Sequence, residues 1–526
     1  LIHNGLWRSH MRQQFGEGYY DVADDLHDGM LRGTFPPFVR EQFQQALDMF
    51  GQMPVIVRSS SLLEDAFGNA FAGKDESYFC VNQGTPERRY ELFEESVRRI
   101  FASTMNEDAL TYRLQRGLDQ HDEQMALLVQ RVSGTYRKHY FFPEMAGVGL
   151  SYNPFVWKQG MDPRAGMLRI VFGMGTRAVN RVENDYPRIV ALDAPLVKSH
   201  GGIVDARRFS QHDVDLLNLQ DNRFHSLSLM QVINEGIDAR LDLIGVRDEE
   251  TSERMRASGR PAEDVWILTF DELLSRTDFT AVMSRMLKEL EKVYEYPIDI
   301  EFTANFNAEG RLQVNLLQCR PFQTKGQKAQ VEIPEKIPRK KVFIRQEGNF
   351  MGGSVSQALA RVIYIDPKGY TKLTLSEKYD VARVVGRLNK LIDRREDMPT
   401  AVFGPGRWGT TTPAMGVPVT FSEISKIAVI AEIAYRDGSL IPDLSFGTHF
   451  FQDLVETDIF YMAIYPEKDG VFFNDGWLES LPNRLLDLLP NEGRYEKVVR
   501  VYDVREKDLR LVSVVVNQKL ICYASS

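Results

Sequence analysis

Four polar residues lie on two apolar stretches that read as the arms of a hairpin: Asp299 and Glu301 in IDIEFTANF, Gln318 and Arg320 in LQVNLLQCRPF. Side chains alternate faces along a strand, so Asp299 shares a face with Glu301 and Gln318 with Arg320. A turn centred on Glu309-Gly310, an X-Gly pair suited to a tight hairpin, sets Glu301 opposite Gln318 and Asp299 opposite Arg320. The alternate positions Ile300, Phe302, Leu317 and Cys319 are mostly apolar and are expected to face a core. A carboxylate beside an amide oxygen suits a hard, oxygen-seeking cation such as Mg2+ that also holds phosphates. The plainer alternative is a structural Asp–Arg pair across two strands.

A second group opens at PVIVRSSSLLEDAFGNAFAG, residues 54–73. The apolar run stops at Arg58, where a polar loop is expected to begin. A guanidinium forks onto phosphate oxygens, and Ser59, Ser60 and Ser61 add hydroxyl and backbone donors of the kind found in anion-binding turns. The alternative is an ordinary surface arginine. In FGMGTRAVN, Gly173 and Gly175 form a glycine turn that opens into a helix, whose N-terminus attracts anions. A third group lies far downstream. GPGRWG sets Arg407 and Trp408 among three glycines, either as an anion nest or as a tight turn with Trp408 packed in the core. His449 and Asp453 are four apart and share a helix face, as a His–carboxylate dyad or as a buried structural contact.

The elements that would position these groups are legible in outline. PPFVREQFQQALDMFG and RRYELFEESVRRIFAS read as amphipathic helices, the second with Leu92, Val97 and Phe101 as core candidates. PVIV and MALLVQRV read as buried strands, and AGVGLSYNP and MLRIVFGMG as strands running into turns. Residues 213–245 are expected to be mostly helical. DFTAVMSRMLKELEKVYE is a helix whose stripe Val282, Met286, Leu290 and Val293 is expected in the core. Thr420 and Glu423 have capping-box spacing before a helix over SEISKIAVIAEIAY.

With 526 residues the chain exceeds one compact core. A net charge of -9 argues against a nucleic-acid partner, which needs a basic face. Cys80, Cys319 and Cys522 are too scattered for a disulfide framework or a C-x-x-C metal site, so a reducing, cytoplasmic compartment is expected. No apolar run reaches membrane-spanning length, and LIHNGLWRSHMRQQ lacks a signal-peptide core. No membrane partner is expected. The chain does not begin with Met, so upstream sequence is expected.

VIVRSSSLLEDAFGNAFAG, MALLVQRV, GVGLSYNPF, RIVFGMGTRAVNRVENDYPRIV and the two hairpin stretches, in that order, resemble the ATP-binding segment of phosphoenolpyruvate synthase and pyruvate phosphate dikinase. The resemblance implies an α/β (α+β) chain with a two-lobed ATP-grasp domain over 51–325. A helical segment over 1–50 would be the truncated start of that domain, and a linker over 326–340 would lead to a second α/β domain over 341–526. It implies ATP and Mg2+ as cofactors. Arg58, with Ser59 and Ser60, would meet the ATP phosphates, and Gln130, Arg131 and Val132 would offer backbone groups to adenine. Glu301 and Gln318 would hold Mg2+, Asp299 and Arg320 would brace or extend that site, and Gly173 and Gly175 would keep their turn close to the nucleotide. Arg58 and Arg320 are the catalytic candidates. The sequence departs from the family at three points. No glycine-lysine element precedes Arg58, Thr176 stands where Glu is usual, and no Gly-Gly run leads to a carrier histidine, since the glycines of KSHGGIVD follow His200. No counterpart of the phosphoenolpyruvate-binding barrel is seen. The stretches around Arg407 and His449 resemble C-terminal parts of larger dikinase-related proteins of unassigned activity. The expected function is a Mg-ATP-dependent phosphotransferase whose acceptor lies in the C-terminal domain or on a separate phosphocarrier or acceptor protein. The alternatives are a non-catalytic nucleotide-binding regulatory or scaffolding module, or a structural interaction protein.

Overall fold

The computed structural model describes residues 1–14, 18–61, 77–115, 117–120, 125–153, 161–180, 185–198, 206–207, 209–257, 265–307, 309–322, 331–334, 337–351, 353–410, 412–435, 440, 449–514 and 517–525. The side chains of residues 14, 115, 255, 256, 449, 452, 455 and 456 are outside that description. The chain divides into two units, one of Leu1–Ser151, Met167–Val179 and Asn184–Pro321, the other of Tyr152–Gly166, Asn180–Glu183 and Phe322–Ser526.

The first unit opens with helices Trp7–Gln14 and Ala23–Leu31, then α1 (Pro37–Phe50), β1 (Val55–Ser61), β2 (Ser77–Cys80) and α2 (Pro86–Ser103). Pro37 starts α1 and Gly51, at φ 60°, ends it. The Thr85 hydroxyl accepts the Arg88 N–H at the start of α2. Next come β3 (Met125–Arg131), β4 (Thr135–Arg137), β5 (Tyr140–Phe142), β6 (Met145–Leu150), β7 (Met167–Val171) and β8 (Arg188–Ala191). The unit closes with β9 (Asp213–Asn218), β10 (Arg223–Ser228), α3 (Phe279–Tyr294), β11 (Ile298–Phe306) and β12 (Leu312–Pro321). Among the described residues these strands form three sheets, ordered β2-β1-β3, β10-β9-β5-β4 and β12-β11-β6-β7-β8, and Gly245–Arg247 pairs with Trp266–Leu268 in a fourth, two-stranded one.

Strand periodicity explains which faces are buried. Val55 and Val57 join Phe93, Val97 and Ile100 of α2 in one core, which leaves Ile56, Arg58 and Ser60 on the other face of the small sheet. In the five-stranded sheet, Ile300 and Phe302 are buried on the side opposite Asp299 and Glu301, and the Phe302 ring meets Phe279 of α3 at 6.1 Å.

Several expectations are corrected here. β1 continues through Ser61, because Ser59, Ser60 and Ser61 pair with Leu127, Ala126 and Met125 of β3. Backbone pairing is indifferent to hydroxyl side chains, so the polar loop does not start at Arg58. Residues 213–228 form the β9–β10 hairpin, and helix begins only at Leu229. The buried stripe of α3 is Phe279, Met283 and Leu287, while Val282 and Val293 are exposed. The expected stripe was out of phase with the true one.

Among the described residues the second unit packs two large sheets and carries a two-stranded one, Arg407–Trp408 with Gly416–Val417. β13 (Val342–Glu347) lies in a five-stranded antiparallel sheet with Val355–Leu359, Leu509–Val514, Lys519–Ala524 and Phe472–Phe473. The other sheet has four parallel strands, β14 (Arg361–Ile365), β15 (Thr400–Pro405), β16 (Val429–Ile433) and β17 (Phe460–Ile464). Antiparallel edges complete it at Phe350–Met351 and Val499–Asp503. α4 (Leu375–Lys390) connects β14 to β15, and α5 (His449–Glu456) connects β16 to β17. The expected helix over 422–435 is a short turned segment followed by β16. Glu423 does accept the Thr420 N–H, but the apolar run behind it is a parallel strand buried on both faces. Within the expected linker, Val331, Ile333 and Ile337 pack against Val342, Val512 and Ile521 of this unit. Their apolar alternation was hidden among basic and proline residues. Among the described residues no helix is long and apolar enough to cross a membrane.

Candidate functional site

The hairpin pairs Asp299 with Arg320 and Glu301 with Gln318, the expected register, by an unexpected route. Near the turn the pairing is Phe306 with Leu312, and Asn307 accepts the Gly310 N–H. The connection is therefore a five-residue loop, not a two-residue turn. A bulge between Glu301 and Phe302 then absorbs one extra residue of β12 and restores the register at Gln318.

Arg58 meets this hairpin. Its Nη2 donates to Gln318 Oε1 at 2.5 Å and lies 3.5 Å from Glu301 Oε2. The Arg58 and Glu301 side chains are about one-fifth exposed, so the cluster is sheltered yet reachable. One row along, Arg320 Nε and Nη2 donate to Asp299 Oδ2 at 3.1 and 3.0 Å, and both side chains are almost fully buried. A guanidinium, a carboxylate and an amide oxygen from two sheets thus converge on one point. Ser59 and Ser60 sit next along β1, and Ser60 is exposed on the Arg58 face.

The strand proposed to hold adenine is more selective than expected. Val132 donates its N–H to the Pro54 carbonyl at 2.9 Å. By the alternation of an antiparallel ladder, Gln130 then bonds Ile56, its partner on β1. Arg131 is left with N–H and C=O directed to the outer edge of β3, where no described strand pairs. Of the three residues, Arg131 is the one whose backbone faces the edge of β3 away from β1.

Sequence reasoning missed four residues on this surface. The Ser133 hydroxyl accepts from Thr303 at 2.6 Å and from Asn315 at 3.0 Å, tying the end of β3 to the hairpin face that carries Glu301. Parity alone would have flagged Thr303 beside Asp299 and Glu301. Asn315 is out of parity with Gln318 because of the bulge. Arg169 of β7 lies in the row Gln318–Glu301–Val148–Arg169, on the same face, and is almost fully buried.

Gly173, at φ 93°, is accounted for by β9. A Cβ there would lie 2.6 Å from Val214 Cγ1 and 2.8 Å from the Asp215 carbonyl oxygen. A Cβ on Gly175 would make only an ordinary contact with Ala146. The helix after this turn is the single turn Thr176–Val179. Its first residues face carboxylates: Thr176 Oγ1 donates to Asp215 at 2.5 Å, and Arg177 bonds both Asp215 and Asp185. That surrounding is unsuited to the anion site expected from sequence.

Residues 9–341 match the family described as pyruvate phosphate dikinase, AMP/ATP-binding domain. The chain belongs to this family. Its nucleotide-binding part is therefore an α/β domain of the ATP-grasp type. Among similar curated proteins, phosphoenolpyruvate synthase of Aeropyrum pernix is 23% identical over 343 residues, 62% of this chain and 37% of that protein. An uncharacterized phosphotransferase of Bacillus subtilis is 23% identical, over 58% of this chain and 29% of its own length. Rifampicin phosphotransferase of Streptomyces sviceus is 28% identical over 242 residues, 45% of this chain and 24% of its own. The chain thus spans about a quarter to two-fifths of the length of these relatives.

The donor set of this dikinase-type domain fits the nucleotide and metal its family implies. Mg2+ bound with phosphates takes one or two protein oxygens and keeps several waters, and Glu301 and Gln318 offer that pair beside Arg58. Among the described residues, no group of three or more His, Cys, Asp or Glu is placed to enclose a metal by itself.

Outside the matched family domain, the second cluster is built as a packed turn. Trp408 is fully buried, its backbone N–H donates to Glu432 Oε1 at 2.8 Å, and Glu432 Oε2 accepts from the Tyr461 hydroxyl at 2.7 Å. Gly406, at φ 67°, lets the turn approach the Met415 carbonyl, which accepts the Arg407 N–H. Arg407 and Asp453 are both buried. His449 opens α5 four residues before Asp453, and its side chain lies outside the described residues.

Proposed function

We propose that the chain binds Mg-ATP between β1 and the β11–β12 hairpin and donates a phosphoryl or pyrophosphoryl group to an acceptor held by the second unit or by a partner protein. One observation carries this reading: Arg58 of one sheet converges with Glu301 and Gln318 of another. On nucleotide binding, Arg58 exchanges both Gln318 and Glu301 for phosphate oxygens, and these two residues would then hold Mg2+. The bound cation supplies charge neutralisation at the phosphates, the term on which phosphoryl transfer chiefly depends. Arg131 presents backbone groups to the adenine edge, and Arg58 with Arg320 places positive charge beside the phosphates.

The test uses ATP labelled at the β and γ positions, with Mg2+ and candidate acceptors. Release of ADP, or of AMP and phosphate, tells which bond breaks. Arg58→Ala and Glu301→Ala should each weaken Mg-ATP binding at least tenfold, the worth of one charge-assisted contact. Unchanged affinity in both would refute the site. A regulatory reading is favoured by one feature, the Thr176 hydroxyl engaged with Asp215 where the family usually carries Glu. Tight binding without turnover under every condition would establish that reading instead.

A further inference from the structure

The two halves of the proposed site lie on different sheets, and the β9–β10 hairpin spans between them. Its base is fixed to the turn after β7: Met174 donates its N–H to the Asp215 carbonyl at 2.9 Å, and the Asp215 carboxylate accepts from Thr176 and Arg177. Its tip is fixed to the small sheet. The Asn222 amide bonds both backbone groups of Gln83, accepting the N–H at 3.2 Å and donating to the carbonyl at 3.0 Å. The Gln83 side chain in turn donates to the carbonyls of Gln52 and Val81, so this anchor belongs to the layer that carries β1. Beside it the Phe224 ring stacks on Phe79, with centroids 5.7 Å apart and planes 11° from parallel. Phe79 pairs with Ile56 across β1–β2, and Ile56 shares a face with Arg58 two residues on. The stack therefore bears on the face that presents Arg58. Asn222 holds the tip at φ 61°, a conformation asparagine tolerates better than most residues.

We propose that the β9–β10 hairpin is a strut that seats the Arg58 sheet against the Glu301–Gln318 hairpin, with Asn222 and Phe224 as positioning residues for nucleotide engagement. The proposal rests on the Mg-ATP reading of that site. Neither residue touches the nucleotide. They fix how closely Arg58 approaches the metal-ligating pair, so their loss lets the small sheet move and Mg-ATP leave faster. Phe224 is 39% exposed, so its truncation leaves the fold intact.

The experiment is stopped-flow Mg-ATP binding to the full chain, comparing wild type with Phe224→Ala, Phe224→Tyr, Asn222→Gly and the Phe224→Ala/Asn222→Gly double variant. Glycine keeps the positive φ while removing the amide. Phe224→Ala should raise the dissociation rate about 2- to 12-fold, the range of a stacked aromatic pair. Phe224→Tyr should restore the wild-type rate, and the double variant should exceed either single one, with thermal midpoints little changed. A second measurement is made without nucleotide. Spin labels at Ala126→Cys on β3 and Gln313→Cys on β12, both at exposed positions, should give one narrow distance distribution that broadens in the double variant. If wild type binds Mg-ATP and the variants match its rates, the strut is refuted and the site stands. If wild type does not bind Mg-ATP, the site reading fails, and an unbroadened label distance refutes the strut as well.

Discussion

Arg320 is where stability and function can be separated. Its Nε and Nη2 both donate to Asp299 Oδ2, at 3.1 and 3.0 Å, and the two side chains are 6% and 3% exposed. Arg320→Met leaves a buried carboxylate without that guanidinium, a change that costs about 3–5 kcal/mol. With a urea dependence of about 3 kcal/mol per M, the unfolding midpoint should fall by about 1–1.7 M. A chain of two units need not unfold in one step, so the affected transition is identified as the one that Mg-ATP shifts upward in wild type. The Asp299→Leu/Arg320→Met double variant replaces the pair by apolar groups of similar size and should recover most of the loss. Its Mg-ATP affinity should stay about 10- to 100-fold below wild type, because the lost guanidinium charge stands one row from Glu301 and Gln318, beside the proposed phosphate position. The assay pairs urea denaturation with calorimetric titration of Mg-ATP. Wild-type affinity in a stable double variant would refute a nucleotide contact and leave Arg320 as a brace. A double variant as unstable as Arg320→Met would refute the ion-pair argument itself.

Three further outcomes are expected. Gly173→Ala combines a positive φ with clashes against Val214 and Asp215, and should destabilise the first unit by about 2–4 kcal/mol in denaturation; a loss below 1 kcal/mol would show that β9 yields easily. Burial pushes the Cys80 thiol up from 9.0 to about 11, and burial together with Glu235 pushes Tyr140 up to about 12. Both folded values are raised, so the stabilisation is present in full below pH 9 and lost as pH climbs toward 11–12. Thermal melts should show this decline, and Cys80→Ala should flatten it between pH 9 and 11, whatever its effect at neutral pH. Glu432→Ala removes the carboxylate that accepts from the buried Trp408 backbone N–H and the Tyr461 hydroxyl, at a cost of about 2–4 kcal/mol to the second unit. Mg-ATP affinity should not change, and a stable variant that had lost turnover would instead place this cluster in the chemistry.

What sequence conveyed depended on how local the signal was. Residue types at period two disclosed β1, β3 and the polar face of the β11–β12 hairpin, because a strand with one buried face writes its orientation into every second residue. The same period failed on DVDLLNLQDNRFHSLS, where leucines suggest helix and the pairing of β9 with β10, and of β9 with β5, makes strands. The most functional part of the sheet was right for incomplete reasons. A two-residue turn and an unbroken ladder give Glu301 opposite Gln318, and so do a longer loop and a compensating bulge. Sequence cannot distinguish these routes at Gln318, but they disagree nearer the turn, where the observed register sets Asn315 opposite Thr303. That difference is why Ser133, Thr303 and Asn315 were missed as one hydrogen-bonded group while Glu301 and Gln318 were found. Contacts between sheets were not legible at all. Nothing local to Arg58 names Gln318 as its partner 260 residues away, and nothing local to Phe79 names Phe224. In the proposed site such contacts decide function, because a phosphate clamp exists only where its two sheets meet.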